Sequence, residues 1–225
     1  MTVPLFFCLT SKQSFTIIYV NARLLNGGFV LKDTKERILE SALKLFAADG
    51  YEAVSVSMIA GELGITKGAL YRHYKNKRDI FGSILKRMEQ NDFDGAWEYD
   101  LPQTNNQDEY GGISFKNFAE YSKMQFRYWT ENEFASSFRK MLTVEQYRSE
   151  EMSELYSQYL ASGPLGYVQS IFESFGIKNA AQKAIEFYSP MFLLYSVYDS
   201  AKDKSEVIAA LDNYVDNFEL RNDFL

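Results

Sequence analysis

The 225-residue chain is long enough for one small and one medium domain, and with 46% hydrophobic residues it can bury a substantial core. A single cysteine, Cys8, and a single histidine, His73, exclude a disulfide framework and nearly exclude histidine triads and His-based metal clusters, so no catalytic residue, metal or cofactor is expected. The net charge of −6 is uneven: residues 32–81 sum to +2, residues 82–225 to −10, and residues 66–78 to +5 with no acid. A basic patch on an acidic body suits local contact with phosphates.

Residues 1–30 show no clear helical period and no cap, and they make a poor signal peptide. Gly27-Gly28 can be encoded by a purine-rich ribosome-binding sequence, with Leu31 as a TTG start or Val30 as a GTG start. This stretch is therefore expected to be a translated leader rather than native protein, the alternative being a genuine N-terminal arm. The remainder is expected to divide into a first domain at 31–81 and a second at 82–225.

Asp33, with Glu36 three places on, reads as a capping box opening a helix through Ile38, Ala42, Leu45 and Phe46, which ends at Asp49-Gly50. Ser55 caps a short helix. Gly64 permits a tight turn, and Thr66 caps the helix carrying Lys67, Gly68, Ala69, Tyr71, Arg72 and His73. Asn76 caps a fourth helix. This is a helix-turn-helix whose second helix can enter the major groove. Gly68 and Ala69 keep bulk low, so the backbone can approach base edges. Lys67 and Arg72 can pair with phosphates or guanine O6/N7, and the Tyr71 hydroxyl can reach phosphate. Ser55, Thr66 and Lys77 sit at helix starts that converge on phosphate. His73 reads as a phosphate or structural hydrogen-bond donor, and Leu70, Tyr74, Ile80 and Phe81 as core.

These residues resemble the tetracycline-repressor (TetR) family of bacterial transcription regulators. The likeness runs over residues 34–81, about a fifth of the chain: Ile38-Leu39, Ala42, Leu45-Phe46, Gly50-Tyr51, Ser55-Val56, Ile59-Ala60, Gly64-Ile65, Lys67-Gly68, Leu70-Tyr71, Tyr74, Lys75-Asn76-Lys77 and Asp79-Ile80-Phe81. Val54 and Ser57-Met58 depart from the commoner residues. The resemblance implies that Ser55, Thr66, Lys67, Tyr71, His73 and Lys77 contact phosphates, and that Lys67, Gly68, Ala69 and Arg72 face bases.

Beyond residue 81 the pattern stays helical, so the fold class is all-α. Helices are expected at about 113–131, 133–144, 145–161, 165–176, 179–201 and 204–221, with a loop at 101–112, a break at Gly163-Pro164 and a kink at Pro190. The aromatic excess fits a lined pocket. Met124, Trp129, Phe138, Met141, Tyr156 and Phe172 are candidates to line it. Acidic neighbours such as Glu120 and Glu173 would suit a lipophilic cation. Tyr188, Phe192 and Tyr195, with Val207, Leu211, Tyr214 and Phe218, form a broad apolar band on the last two helices. The resemblance implies that a second copy covers this band; the alternative is burial within one monomer.

The expected function is that of a cytoplasmic, ligand-responsive regulator. It would bind a palindromic double-stranded DNA operator as a homodimer, most simply as a repressor, and be released by a small hydrophobic or aromatic effector. An activator, and a helical module that binds a protein partner, are the alternatives. The missing nucleophile and cofactor motifs argue against an enzyme, and no apolar run is long enough to span a membrane.

Overall fold

Side chains set most of the helix starts. A computed structural model describes residues 33–102 and 113–221, and seven successive helices in it open on a side chain that accepts a backbone N–H. They are α1 (Thr34–Asp49, capped by Asp33), α2 (Val56–Glu62, Ser55), α3 (Lys67–Tyr71, Thr66), α4 (Lys77–Glu98, Asn76), α5 (Phe115–Glu131, Ser114), α6 (Glu133–Glu145, Asn132) and α7 (Glu150–Leu160, Ser149). Then follow α8 (Ser162–Ser174), α9 (Ala180–Ser200) and α10 (Lys204–Arg221). The fold is all-α, with no strand among the described residues. The expected leader at 1–30 and most of the loop at 101–112 lie outside them. No helix among the described residues is long and apolar enough to cross a membrane.

The first four helices pack around Ile38, Ala42, Phe46, Ile59, Leu70, Tyr74, Ile80 and Phe81, all buried. The rings of Phe46 and Phe81 each lie 5.0 Å from that of Tyr51. Gly64 turns α2 into α3 at φ +64°, where a left-handed residue is needed, and Ile65 N–H closes the turn on Ala60 O at 3.0 Å. The capping box at α1 forms only by half. Asp33 accepts from Lys35 N, but Glu36 pairs with Arg87 of α4 instead of reaching back, because an arginine on the neighbouring helix offers a stronger, charge-assisted partner.

Helices α5 to α10 form the body, with α5 packed against α6, α9 and α10. Its centre is aromatic: the Phe187 ring lies 5.1 Å from Phe118 and 5.0 Å from Phe218, and Phe126 stacks on Tyr195 at 5.0 Å. Two expected boundaries move. Helix α7 starts at Glu150 rather than 145, because Ser149 caps it at Met152 N. The break before α8 falls at Ala161, and Pro164 sits in the first turn of α8, where its missing N–H has no partner to lose. Pro190 lies inside a continuous α9. It removes the donor for the Glu186 carbonyl, and the Tyr214 hydroxyl from α10 donates to that oxygen instead.

The head formed by α1 to α4 and the body share polar ties. Arg87 pairs with Glu36 and lays its guanidinium 3.8 Å from the Phe134 ring centre on α6. Tyr51 N donates to the buried Glu145 carboxylate at 3.2 Å, and Arg78 pairs with Glu151 of α7.

Candidate nucleic-acid interface and effector cavity

Helix α3 turns one face outward. Thr66, Lys67, Gly68, Tyr71, Arg72 and His73 are exposed, Ala69 is half-buried, and Leu70 beneath them is fully buried. A side chain at Gly68 would meet only Thr66 Oγ1 at 4.0 Å, so the surface there is open to a close approach. The Lys67 ammonium sits 5.8 Å from the centre of the Tyr71 ring, which remains 46% exposed. The hydroxyl oxygens of Ser55 and Thr66 accept from Met58 N and Ala69 N. Each keeps its own O–H to donate outward. Lys77 is placed differently from its neighbours. Its Nζ donates to Tyr51 O at 2.7 Å and Glu52 O at 3.3 Å and lies 4.3 Å from the Tyr51 ring centre. It fastens the start of α4 to the end of the α1 turn.

A cavity of about 390 Å³ opens between α4, α5, α7, α8 and α9. Of the six residues expected to line it, only Trp129 does. Phe138, Met141 and Phe172 are fully buried core, because their helix faces point into the packed aromatic centre. Met124 is half-buried, its Cε 3.3 Å from where a Cβ on Gly95 would stand, and Tyr156 borders a separate, smaller recess beside Arg139 and Phe192. Glu120 and Glu173 are exposed; the first pairs with Lys123 and the second accepts from Gln169. The acidic liners are instead Glu89 and Asp92 of α4, joined by Tyr121, Gln125, Tyr159, Tyr167, Tyr188 and Tyr195. Burial pushes the Asp92 carboxyl up to about 7, opposed by the Gln125 amide and reinforced by Glu89. Burial also raises the Tyr121, Tyr159 and Tyr195 hydroxyls well above the phenol range. One signal for Asp92 was present in the sequence: the positions 84, 88, 92 and 96 form one helical row, and Ile84, Met88 and Ala96 are all buried. A carboxylate in that row occupies a core register.

Residues 38–84 match the family model for bacterial regulatory proteins of the tetR family. The chain carries a TetR-family DNA-binding domain. Over 60 residues it is 40% identical to the HTH-type transcriptional regulator AcrR of Shigella flexneri, a stretch covering 27% of this chain and 28% of that protein. The match therefore spans less than a third of that relative. Solved structures extend the likeness of fold beyond the TetR-family domain. A transcriptional regulator of the TerR/AcrR family from Aquifex aeolicus superposes with a TM-score of 0.62 at 18% identity, over 81% of this chain and 98% of the other. SmeT, the repressor of the Stenotrophomonas maltophilia multidrug efflux pump SmeDEF, superposes with a TM-score of 0.57 at 17% identity, over 84% and 90%. SmeT is also known in complex with triclosan.

Behind the TetR-family domain, the apolar band of α9 and α10 divides in two. Tyr188, Tyr195, Val207, Leu211 and Phe218 are buried within the monomer, and Tyr214 is half-buried with its hydroxyl on Glu186 O. Tyr188 donates its hydroxyl to Leu160 O at 2.9 Å. These residues face inward because they close the aromatic core and the cavity wall. Phe192 alone of the expected set is exposed. It shares an outward row on α9 with Ile185, Leu193 and Val197, and Leu193 is 63% exposed.

Proposed function

We propose that this protein is a ligand-responsive transcriptional regulator that binds a palindromic DNA operator as a homodimer and leaves it when a small hydrophobic or aromatic effector enters the cavity. The exposed basic and aromatic face of α3, within a TetR-family domain, carries the reading. Residues 66–78 hold five cations and no acid; Lys67, Arg72 and Lys75 stand exposed to a phosphate backbone, while Lys77 is held by the Tyr51 carbonyl and Arg78 by Glu151.

The outward row of Ile185, Phe192, Leu193 and Val197 supports self-association, since a helix with apolar residues on two faces needs a second partner. A two-fold dimer would present two copies of α3, and spacing them by about 34–36 Å would let them read both halves of a palindrome. Helix α4 is the natural link between the sites. It starts at Lys77, buries Ile80, Phe81 and Ile84 in the head, and carries Glu89, Asp92 and Ala96 to the cavity. Fifteen residues separate Lys77 from Asp92, about 22 Å of helix. A ligand that shifts α4 at the cavity therefore moves the head. The coupling is reciprocal: effector and operator each weaken binding of the other. Repression by the free protein is the simplest sign, and SmeT is named as a repressor.

The test is binding of the protein to the DNA just upstream of its own gene, at two salt concentrations, with the stoichiometry of the complex measured by sedimentation. Specific, salt-sensitive binding of two chains per operator is expected. Absence of salt-dependent DNA binding would sink the proposal.

A further inference from the structure

We propose that the effector is a lipophilic cation, an aromatic amine or quaternary ammonium, whose positive charge rests against the Asp92 carboxylate inside a box of tyrosine and tryptophan rings. The biological role of such a ligand depends on the regulator reading above; its binding does not.

Charge is the first argument. Among the described residues, the cavity wall carries two carboxylates, Glu89 and Asp92, and no lysine, arginine or histidine. Glu89 is exposed to solvent, whereas Asp92 lies deeper, and its Oδ1 is shielded from water and makes no hydrogen bond. A carboxylate held this way is destabilised unless a counter-charge arrives. The nearest arginine on the same helix, Arg87, is committed to Glu36 and the face of Phe134. No side chain of the wall supplies the missing cation, so a ligand can.

The second argument is the wall itself. Tyr121, Trp129, Tyr159, Tyr167, Tyr188 and Tyr195 present aromatic rings to one space of about 390 Å³. Ring faces attract cations, and more strongly where water is excluded. That volume takes a molecule of two or three rings. The Tyr159 hydroxyl is also buried without a partner, leaving a second polar group for a ligand nitrogen or oxygen.

The titration of Asp92 gives this arrangement a signature. The groups around it are Glu89 on α4, Tyr121, Gln125 and Tyr128 on α5, Tyr159 on α7 and Tyr195 on α9. None of them is a cation. With its carboxyl pushed up to about 7, the empty site is largely protonated in mild acid. A cation that binds there must displace the proton, so its affinity should rise with pH up to about 7 and then level off.

The experiment uses the full chain with Trp97→Phe. Trp97 is 74% exposed and outside the cavity, so the change leaves Trp129, which is 5% exposed, as the sole tryptophan reporter. Benzyldimethylphenylammonium and the smaller benzyltrimethylammonium serve as cationic probes, and 2-phenylphenol as an uncharged one. Quenching of Trp129 by at least one cation is expected, weakened about tenfold or more at pH 8 by Asp92→Asn and retained by Asp92→Glu. In the protein with Asp92, affinity should rise about tenfold from pH 6 to pH 8, and in Asp92→Asn it should stay flat. Equal cation affinity in Asp92→Asn, or binding of 2-phenylphenol with neither cation bound, overturns the proposal, as does no binding of any probe. Operator binding by the same samples is read separately. Its loss with cation binding intact would remove the regulator reading and leave this site standing.

Discussion

The head and the body of this protein use the same helical material in opposite ways. The head exposes cationic and aromatic side chains on a single five-residue helix, α3, and they stand within one short stretch of sequence. The body hides its chemistry in a space that exists only when residues from 89 to 195, drawn from five helices, come together. The head is a local device and the body an assembled one. A substitution in the head should act on what it touches. One in the body should act through the packing that encloses the cavity.

The largest effect should come from the head. Lys67→Ala with Arg72→Ala removes two exposed cations from the α3 face without touching the buried Leu70 beneath. Each lost bidentate base contact is worth about 1–3 kcal/mol, so the double variant should bind operator more weakly by about 2–6 kcal/mol. Its affinity should also fall less steeply with salt, while the melting temperature stays within a degree or two. Fluorescence anisotropy over a salt series measures both. Unchanged operator affinity would mean that α3 does not enter the groove.

In the body, the corresponding test is thermodynamic and needs no ligand. Asp92 has its carboxyl raised from an ordinary 3.8 to about 7 by burial. The folded protein therefore holds a proton that the unfolded chain releases, and the stability this confers is complete below about pH 4 and lost as the pH climbs through 7. Asparagine at position 92 cannot ionise. Asp92→Asn should be more stable than the parent protein at pH 8, by on the order of 3–4 kcal/mol, with the difference closing near pH 4. Urea unfolding at several pH values reads the difference directly. Curves that run parallel from pH 4 to pH 8 would place Asp92 in contact with water.

How much of each region was legible follows from the same contrast. Ser55, Thr66 and Asn76 act as caps, Gly64 as the turn, and Leu70 and Tyr74 as core, each as its local pattern indicates. Lys77 was harder to read, because whether its ammonium points to DNA or to the Tyr51 carbonyl depends on where α1 ends relative to α4. The aromatic residues of the body were legible as helical and apolar but not as cavity or core. Phe138, Met141 and Phe172 share composition and spacing with Trp129, yet only Trp129 borders the space. The apolar band of α9 and α10 shows the same limit. Periodicity finds the band on α9, but which of its two edges turns inward is set by α5 and α8, and the inward edge holds Tyr188 and Tyr195. Asp92 carried a signal that went unread, since Glu120 and Glu173 were the acids expected near the pocket: it shares one helical row with Ile84, Met88 and Ala96, which the structure buries.

Two glycines give the smallest and sharpest form of the comparison. Gly163 lies in α8 and lines the cavity, and an added Cβ there would stand 1.9 Å from the Gln158 carbonyl oxygen. The obstacle is backbone and cannot rotate away, so Gly163→Ala should cost about 3 kcal/mol by forcing α7 and α8 apart, and it should also alter ligand binding. Gly64 presents the reverse case. Nothing lies within 4 Å of an added Cβ, but the backbone stands at φ +64°. Gly64→Ala should therefore cost only about 1–2 kcal/mol, all of it conformational, and Gly64→Asn less, because asparagine tolerates the left-handed region. Chemical unfolding of the three variants separates the two mechanisms. If asparagine at 64 is no better than alanine, the cost there is steric, and the helix-turn-helix is packed more tightly than this geometry allows.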